Sequence, residues 1–110
     1  MKTKEDFMLY FNQVAFIQMN AVYGANYMPS PPAGIYYDAF VFLRRAYQNI
    51  EEFKDDKDAD TFVNHVLKYL DEWKESNNVS LYDATQYAKI SNMYIAIESA
   101  AKLGGFIEWQ

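Results

Sequence analysis

The sequence predicts an all-α fold: one domain over residues 1–110, built as a four-helix bundle, mostly antiparallel, with a proline-rich loop between the first two helices. Three observations predict it. Apolar residues recur at three- and four-residue spacing in four stretches, helix start and stop residues separate those stretches, and the joints at 54–59 and 77–79 are short. The length of 110 residues suits a single core. A composition of 51% hydrophobic and 18% aromatic residues lies well above that of disordered chains.

The first helix is expected from Thr3 to Tyr23, with Thr3 and Asp6 as an approximate capping box and Gly24 as the stop. Its broad apolar face holds Phe7, Met8, Tyr10, Phe11, Val14, Ala15, Ile17, Met19, Ala21 and Val22. On the opposite, polar side Leu9, Phe16 and Tyr23 recur every seven residues and line up along the axis. That second stripe is either covered, within the bundle or by the loop 25–34, or is a seam for a second copy or another protein.

The second helix is expected from Ile35 to Phe53. Ile35, Tyr36, Ala39, Phe40, Phe42, Leu43, Ala46, Tyr47, Ile50 and Phe53 form one face, while Asp38, the Arg44-Arg45 pair, Gln48, Glu51 and Glu52 form the other. The adjacent arginines diverge on a helix, which makes ion pairs with Asp38 or Glu51 their expected use. Asp58 or Asp60 caps a third helix that reaches Ser76 and buries Phe62, Val63, Val66, Leu67, Tyr69, Leu70 and Trp73. Ser80 and Asp83 open a fourth, with Val79 placed for a hydrophobic staple, and Gly104-Gly105 ends it after Leu103. Alanines 84, 88, 96, 100 and 101 let this helix approach its neighbours closely, which places it near the bundle centre.

Composition removes several function classes. A formal charge of −5 disfavours direct nucleic-acid binding and adsorption to anionic lipid. With no cysteine there is no disulfide, no thiolate chemistry and no thiolate zinc site, in keeping with a reducing, cytoplasmic setting. Glu5 and Asp6 stand before the first apolar run and Asn12, Gln13 and Gln18 interrupt it, unlike a secretory signal. No stretch has the length of apolar sequence a membrane span requires.

Catalytic motifs are likewise missing from the sequence, and nothing in it calls for a cofactor or a metal. Asp56, Asp58 and Asp60 imitate the first, third and fifth positions of a calcium loop, but Thr61 replaces its glycine and Leu67 its bidentate glutamate. His65 stands at the edge of an apolar face and is expected to be a partly buried structural residue. Neither GxSxG nor a glycine-rich phosphate loop occurs.

What remains is interaction surface. Between the first two helices the chain reads NYMPSPPAGIYY, where three prolines stiffen the connection and Tyr27, Met28, Tyr36 and Tyr37 can meet a partner with little ordering entropy. The other reading makes this loop a cap on the core. Phe106 is expected to fold back in a Schellman contact, leaving Trp109 as a further partner residue. A separate acidic surface is expected from Glu51, Glu52, Asp55, Asp56, Asp58 and Asp60, extended by Asp71, Glu72 and Glu75.

The function these features favour is a small, acidic, non-enzymatic protein–protein interaction module. Its size, acidity and helix count are shared with small bacteriocin-type immunity proteins and phage-encoded inhibitors, although no motif matches one residue by residue. Homodimerisation is the simplest account of the Leu9/Phe16/Tyr23 stripe. Two alternatives stand beside it: a bundle enclosing a small ligand among Tyr36, Tyr47, Tyr87 and Tyr94, and an acidic mimic of nucleic acid.

Overall fold

The computed structural model describes residues 2–23, 31–76 and 84–108, and the side chains of residues 2–17, 36–75 and 87–108. Four helices appear: α1 Lys4–Tyr23, α2 Pro31–Gln48, α3 Ala59–Ser76 and α4 Ala84–Leu103, with a short 3-10 turn at Glu51–Phe53 after α2. There is no strand among the described residues. The helices form a four-helix bundle in which α1 packs along α2 and α3, and α4 along α2 and α3, while α1 and α4 also touch. As expected for its alanine content, α4 lies against all three other helices. One core of buried side chains draws on every helix, with Phe7, Phe11, Leu43, Phe62, Leu70, Ile90 and Ile97 among the most enclosed.

The capping box of α1 forms as anticipated, while Gly24, the expected stop, lies outside the described residues. The Thr3 hydroxyl accepts a hydrogen bond from the Asp6 N–H at 3.1 Å, and the Asp6 carboxylate accepts one from the Thr3 N–H at 2.9 Å, which completes a reciprocal box. Three residues of the extended N-terminal segment then tie α1 to the corner before α3. The Lys4 N–H donates to the Lys57 carbonyl at 2.9 Å, the Ala59 N–H donates to the Lys2 carbonyl at 2.9 Å, and Thr3 and Asp58 form an isolated β-bridge.

The second helix departs from expectation at both ends. It starts at Pro31 rather than Ile35, so two of the three prolines of the anticipated loop form its first turn. The first N–H groups of a helix have no intrahelical acceptor, and Pro31 and Pro32 therefore sacrifice no helical hydrogen bond there. Helix α2 also ends at Gln48 rather than Phe53. The Asn49 and Ile50 N–H groups both donate to the Arg45 carbonyl, at 2.8 and 3.2 Å, and Ile50 is extended (φ −90°, ψ 115°). This break turns Phe53 onto α3, where it is buried against Phe62, with ring centroids 5.9 Å apart, and against Tyr69 at 5.4 Å. Core membership was legible from periodicity; the turn that achieves it was not.

At the start of α3, Asp58 acts through its backbone carbonyl, which accepts the Phe62 N–H at 3.0 Å, while the Asp60 carboxylate accepts the Thr61 N–H at 2.8 Å. The expected start of the fourth helix, with Val79, Ser80 and Asp83, lies outside the described residues.

The C-terminus of α4 is a Schellman motif, as the glycine pair predicts. Phe106 donates its N–H to the Ala101 carbonyl at 2.8 Å and Gly105 donates to Lys102 at 3.1 Å, with Gly105 at φ 73°. The two glycines are needed for different reasons. Gly105 supplies the left-handed backbone. A Cβ on Gly104 would stand 2.7 Å from both the Phe106 and Tyr10 rings.

Replacing Gly104 by Ala is therefore expected to destabilise the bundle by about 1–3 kcal/mol, because aromatic rings must shift to admit the methyl group. In an uncrowded helical position the same change would be stabilising. Urea denaturation checks the sign, and a midpoint raised in the variant would contradict the packing described for Phe106 and Tyr10.

Candidate interaction surface

The inner and outer faces of α1 are set by its first turns. Phe7, Phe11 and Ala15 are fully buried, and Met8 nearly so. Placing residues at 100° intervals then sends Leu9 and Phe16 outward. They are 60% and 65% exposed, and two helical turns separate them by about 10 Å. Ile17 was expected on the core face but is 62% exposed. It lies beside Phe16 at the margin of a face whose buried centre runs through Phe7, Phe11 and Ala15, and a face defined by periodicity alone was drawn too wide.

Lysine contacts hold the orientation of α1. Lys4 Nζ donates to the Phe53 and Lys54 carbonyls at 3.1 and 3.2 Å, and Lys2 Nζ donates to the Gly104 carbonyl at 2.8 Å while lying 4.5 Å from the Phe106 ring centre. Both ammonium groups thus neutralise carbonyls left open at turns and helix ends. Lys4 is also 5.5 Å from the Tyr47 ring. Tyr47 was expected on the core face, yet it is exposed at this edge.

Helix α2 adds a second exposed apolar group. Of the two neighbouring tyrosines, Tyr36 is half-buried with its ring 6.4 Å from Phe11, whereas Tyr37 points to solvent together with Val41 one turn later. Tyr27, Met28 and Trp109 lie outside the described residues, as does the side chain of Tyr23. From the anticipated partner set, the structure thus displays Leu9, Phe16 and Tyr37 and sets Tyr36 against the core.

The anticipated acidic surface is divided. Glu51, Glu52, Asp55 and Asp60 are exposed, and Asp58 is half-buried beside Thr3. Asp56 does not belong with them. Its side chain is only 15% exposed, and Oδ2 lies 2.7 Å from His65 Nδ1, with the Phe53 ring 4.6 Å from the imidazole. His65 is thus the half-buried structural residue expected, and its partner is one of the carboxylates assigned to the surface. Among the described residues, no three acidic or histidine groups are placed to hold a metal ion.

Other pairings differ from those anticipated for the arginines. Asp38 faces Lys89 at 3.9 Å and Glu51 faces Lys54 at 3.5 Å, while Arg44 and Arg45 are exposed. Both acids are taken by lysines nearer in the fold.

The four tyrosines considered for a ligand pocket do not converge either. Tyr47 and Tyr87 are exposed, Tyr36 packs against Phe11, and only Tyr94 borders the groove between α3 and α4. Partial burial raises the pKa of the Tyr94 phenol, and Glu98 adds to the effect. That groove escaped the sequence reading because its walls come from both helices and both chain ends. Leu103, 72% exposed, stands on its margin.

Comparison with protein-family models, curated proteins and solved structures gives no match. No described helix is long and apolar enough to cross a membrane.

The capping box that starts α1 has a pH signature. Hydrogen bonds from Thr3, first from its N–H and then from its hydroxyl, hold the Asp6 carboxyl below its ordinary value, and Lys2 helps. Because the folded value is the lower one, the contribution of Asp6 is present above the unfolded value and is lost as pH falls through the folded value. Asp6→Asn is expected to lower the denaturation midpoint more at neutral pH than at pH ~2. Equal losses at both would show that the ionised box does not hold the start of α1.

Proposed function

We propose that the chain is a non-enzymatic helical module that docks onto another protein through the outer face of α1, in the manner of an inhibitor or immunity-type protein that covers its partner's surface. The observation that carries this reading is the exposure of Leu9, Phe16 and Ile17 above a core already filled by Phe7, Phe11 and Ala15. Covering each of the three is worth roughly 1–2 kcal/mol, given their partial exposure and the usual yield of burying a large apolar side chain. Tyr37 and Val41 of α2 offer further apolar area.

The chemistry of the chain favours binding over catalysis. His65 is engaged by Asp56 and backed by Phe53, an arrangement that fixes a corner of the fold rather than priming a nucleophile. The charge of −5 directs the proposal toward proteins rather than nucleic acids, and the absence of cysteine suits the cytoplasm.

Self-association is the second reading, favoured by the seven-residue spacing of Leu9 and Phe16, which lets two α1 helices meet along one seam. The two readings separate in a single experiment: solution mass across a concentration range for wild type and Leu9→Glu/Phe16→Glu. A wild-type monomer whose variant stays folded is the result expected for a surface awaiting another protein. A wild-type dimer that the variant dissolves into folded monomers assigns the seam to a second copy. An unfolded variant contradicts both, because it makes the two residues part of the core.

A further inference from the structure

The groove between α3 and α4 is separate from the outer face of α1 and has a composition of its own. It is open on one side and encloses about 1250 Å³, more than the ~300–1,000 Å³ of ordinary small-molecule pockets. Its walls are two helical stripes: Asp60, Asn64, Leu67 and Asp71 from α3, and Tyr94, Glu98 and Lys102 from α4. The end is closed by Phe106 and Ile107 of the C-terminal turn. From Asp60 to Asp71 the α3 wall runs about 16 Å, room for roughly five extended residues or three helical turns of a bound segment.

Its charges are unevenly committed. The three lysines on the rim are engaged within the fold: Lys2 with the Gly104 carbonyl at 2.8 Å, Lys68 with Glu72 at 3.9 Å and Lys102 with Glu98 at 3.7 Å. Opposing them are Asp58, Asp60, Asp71, Glu98 and Glu108, of which Asp58, Asp60 and Glu108 form no ion pair with a lysine or arginine among the described residues. The rim is therefore net acidic. Between the charges lie Leu67, Tyr94, Phe106, Ile107 and the largely exposed Leu103, which supply an apolar floor and lip.

We propose that this groove takes a basic segment of another polypeptide, with apolar side chains set between its lysines or arginines. The acids of the rim meet the cations, and the floor formed by Leu67 and Phe106 with the Leu103 lip meets the apolar residues. Lys68 stays beside Glu72 and Lys102 beside Glu98, so neither lysine has to leave these carboxylates for the segment to enter. The site is independent of the α1 surface, and its failure would leave the reading of that surface untouched.

Fluorescence anisotropy with three labelled peptides tests it: one with Lys and Leu at helical spacing, a Glu–Leu peptide of the same pattern and a Lys–Gly peptide without apolar groups. The Lys–Leu peptide is expected to bind tightest, with affinity falling as salt is raised. The groove variant Asp60→Asn/Asp71→Asn/Glu108→Gln is expected to weaken that binding about tenfold or more. Glu51→Gln/Glu52→Gln/Asp55→Asn, which removes as many charges from the corner outside the groove, should bind like wild type, as should Leu9→Glu/Phe16→Glu. Equal losses in the groove and corner variants would reduce the effect to diffuse attraction and overturn the site. So would Glu–Leu binding as tight as Lys–Leu, or no Lys–Leu binding at physiological salt. Melting temperature checks that the groove variant is folded. Should it melt early, Leu103→Ser, at a largely exposed position, decides the matter: weakened Lys–Leu binding supports the site, and unchanged binding overturns it.

Discussion

Three separate parts of the chain meet at the ring of Phe7. Its centroid lies 5.9 Å from Phe11 on the same helix, 6.5 Å from Phe62 on α3 and 5.3 Å from Phe106 in the turn after α4. Phe53 extends the cluster through Phe62, and Tyr10 extends it through Phe106. A ring buried this fully contributes about 3–5 kcal/mol relative to alanine, a large share of the ~5–15 kcal/mol that holds a domain together. The close approach also explains Gly104, since no side chain fits between Phe106 and Tyr10.

Backbone hydrogen bonds and lysine contacts then convert that cluster into a fixed orientation. Thr3 and Asp6 start α1, Lys2 and Lys4 satisfy carbonyls at the corners around it, and the peptide groups of residues 2–4 pair with those of 57–59. A helix held this way at its first turn has little freedom to roll. With Phe7 and Phe11 inward, Leu9 and Phe16 must face water. The candidate surface is thus a consequence of the core.

Local chemistry of short range was legible in the sequence. The Thr3/Asp6 box, the Schellman turn at Gly104–Phe106, the core face of α3 and the outward direction of Leu9, Phe16 and Tyr37 all follow from residue types a few positions apart. What escaped depends on elements far apart in sequence or on backbone breaks. Pro31 and Pro32 read as loop because proline usually ends structure, although a first turn accepts them. Phe53 keeps its place in the core only through a break after Gln48. Asp56 read as one acid in a run, since nothing in that run shows that His65 will close over it. Asp38 and Glu51 were matched to arginines by sequence spacing, whereas long lysine side chains from Lys89 and Lys54 reach them first. The groove between α3 and α4 belongs to the same class, because no single segment contains it.

Helix α1 leaves Leu9 and Phe16 in water while Phe11 and Ala15, between them in sequence, are sealed. The chain contains no cysteine, so a single introduced thiol reports on one position alone. The most direct measurement is the alkylation rate of Leu9→Cys, Phe16→Cys and Ala15→Cys variants, each folded and dilute, against the same variants in denaturant. The thiols at 9 and 16 should react nearly as fast in the native protein as in the unfolded chain, with the thiol at 15 strongly protected. Protection at 9 and 16 that persists on dilution would place both residues inside the fold and remove the surface on which the proposed function rests.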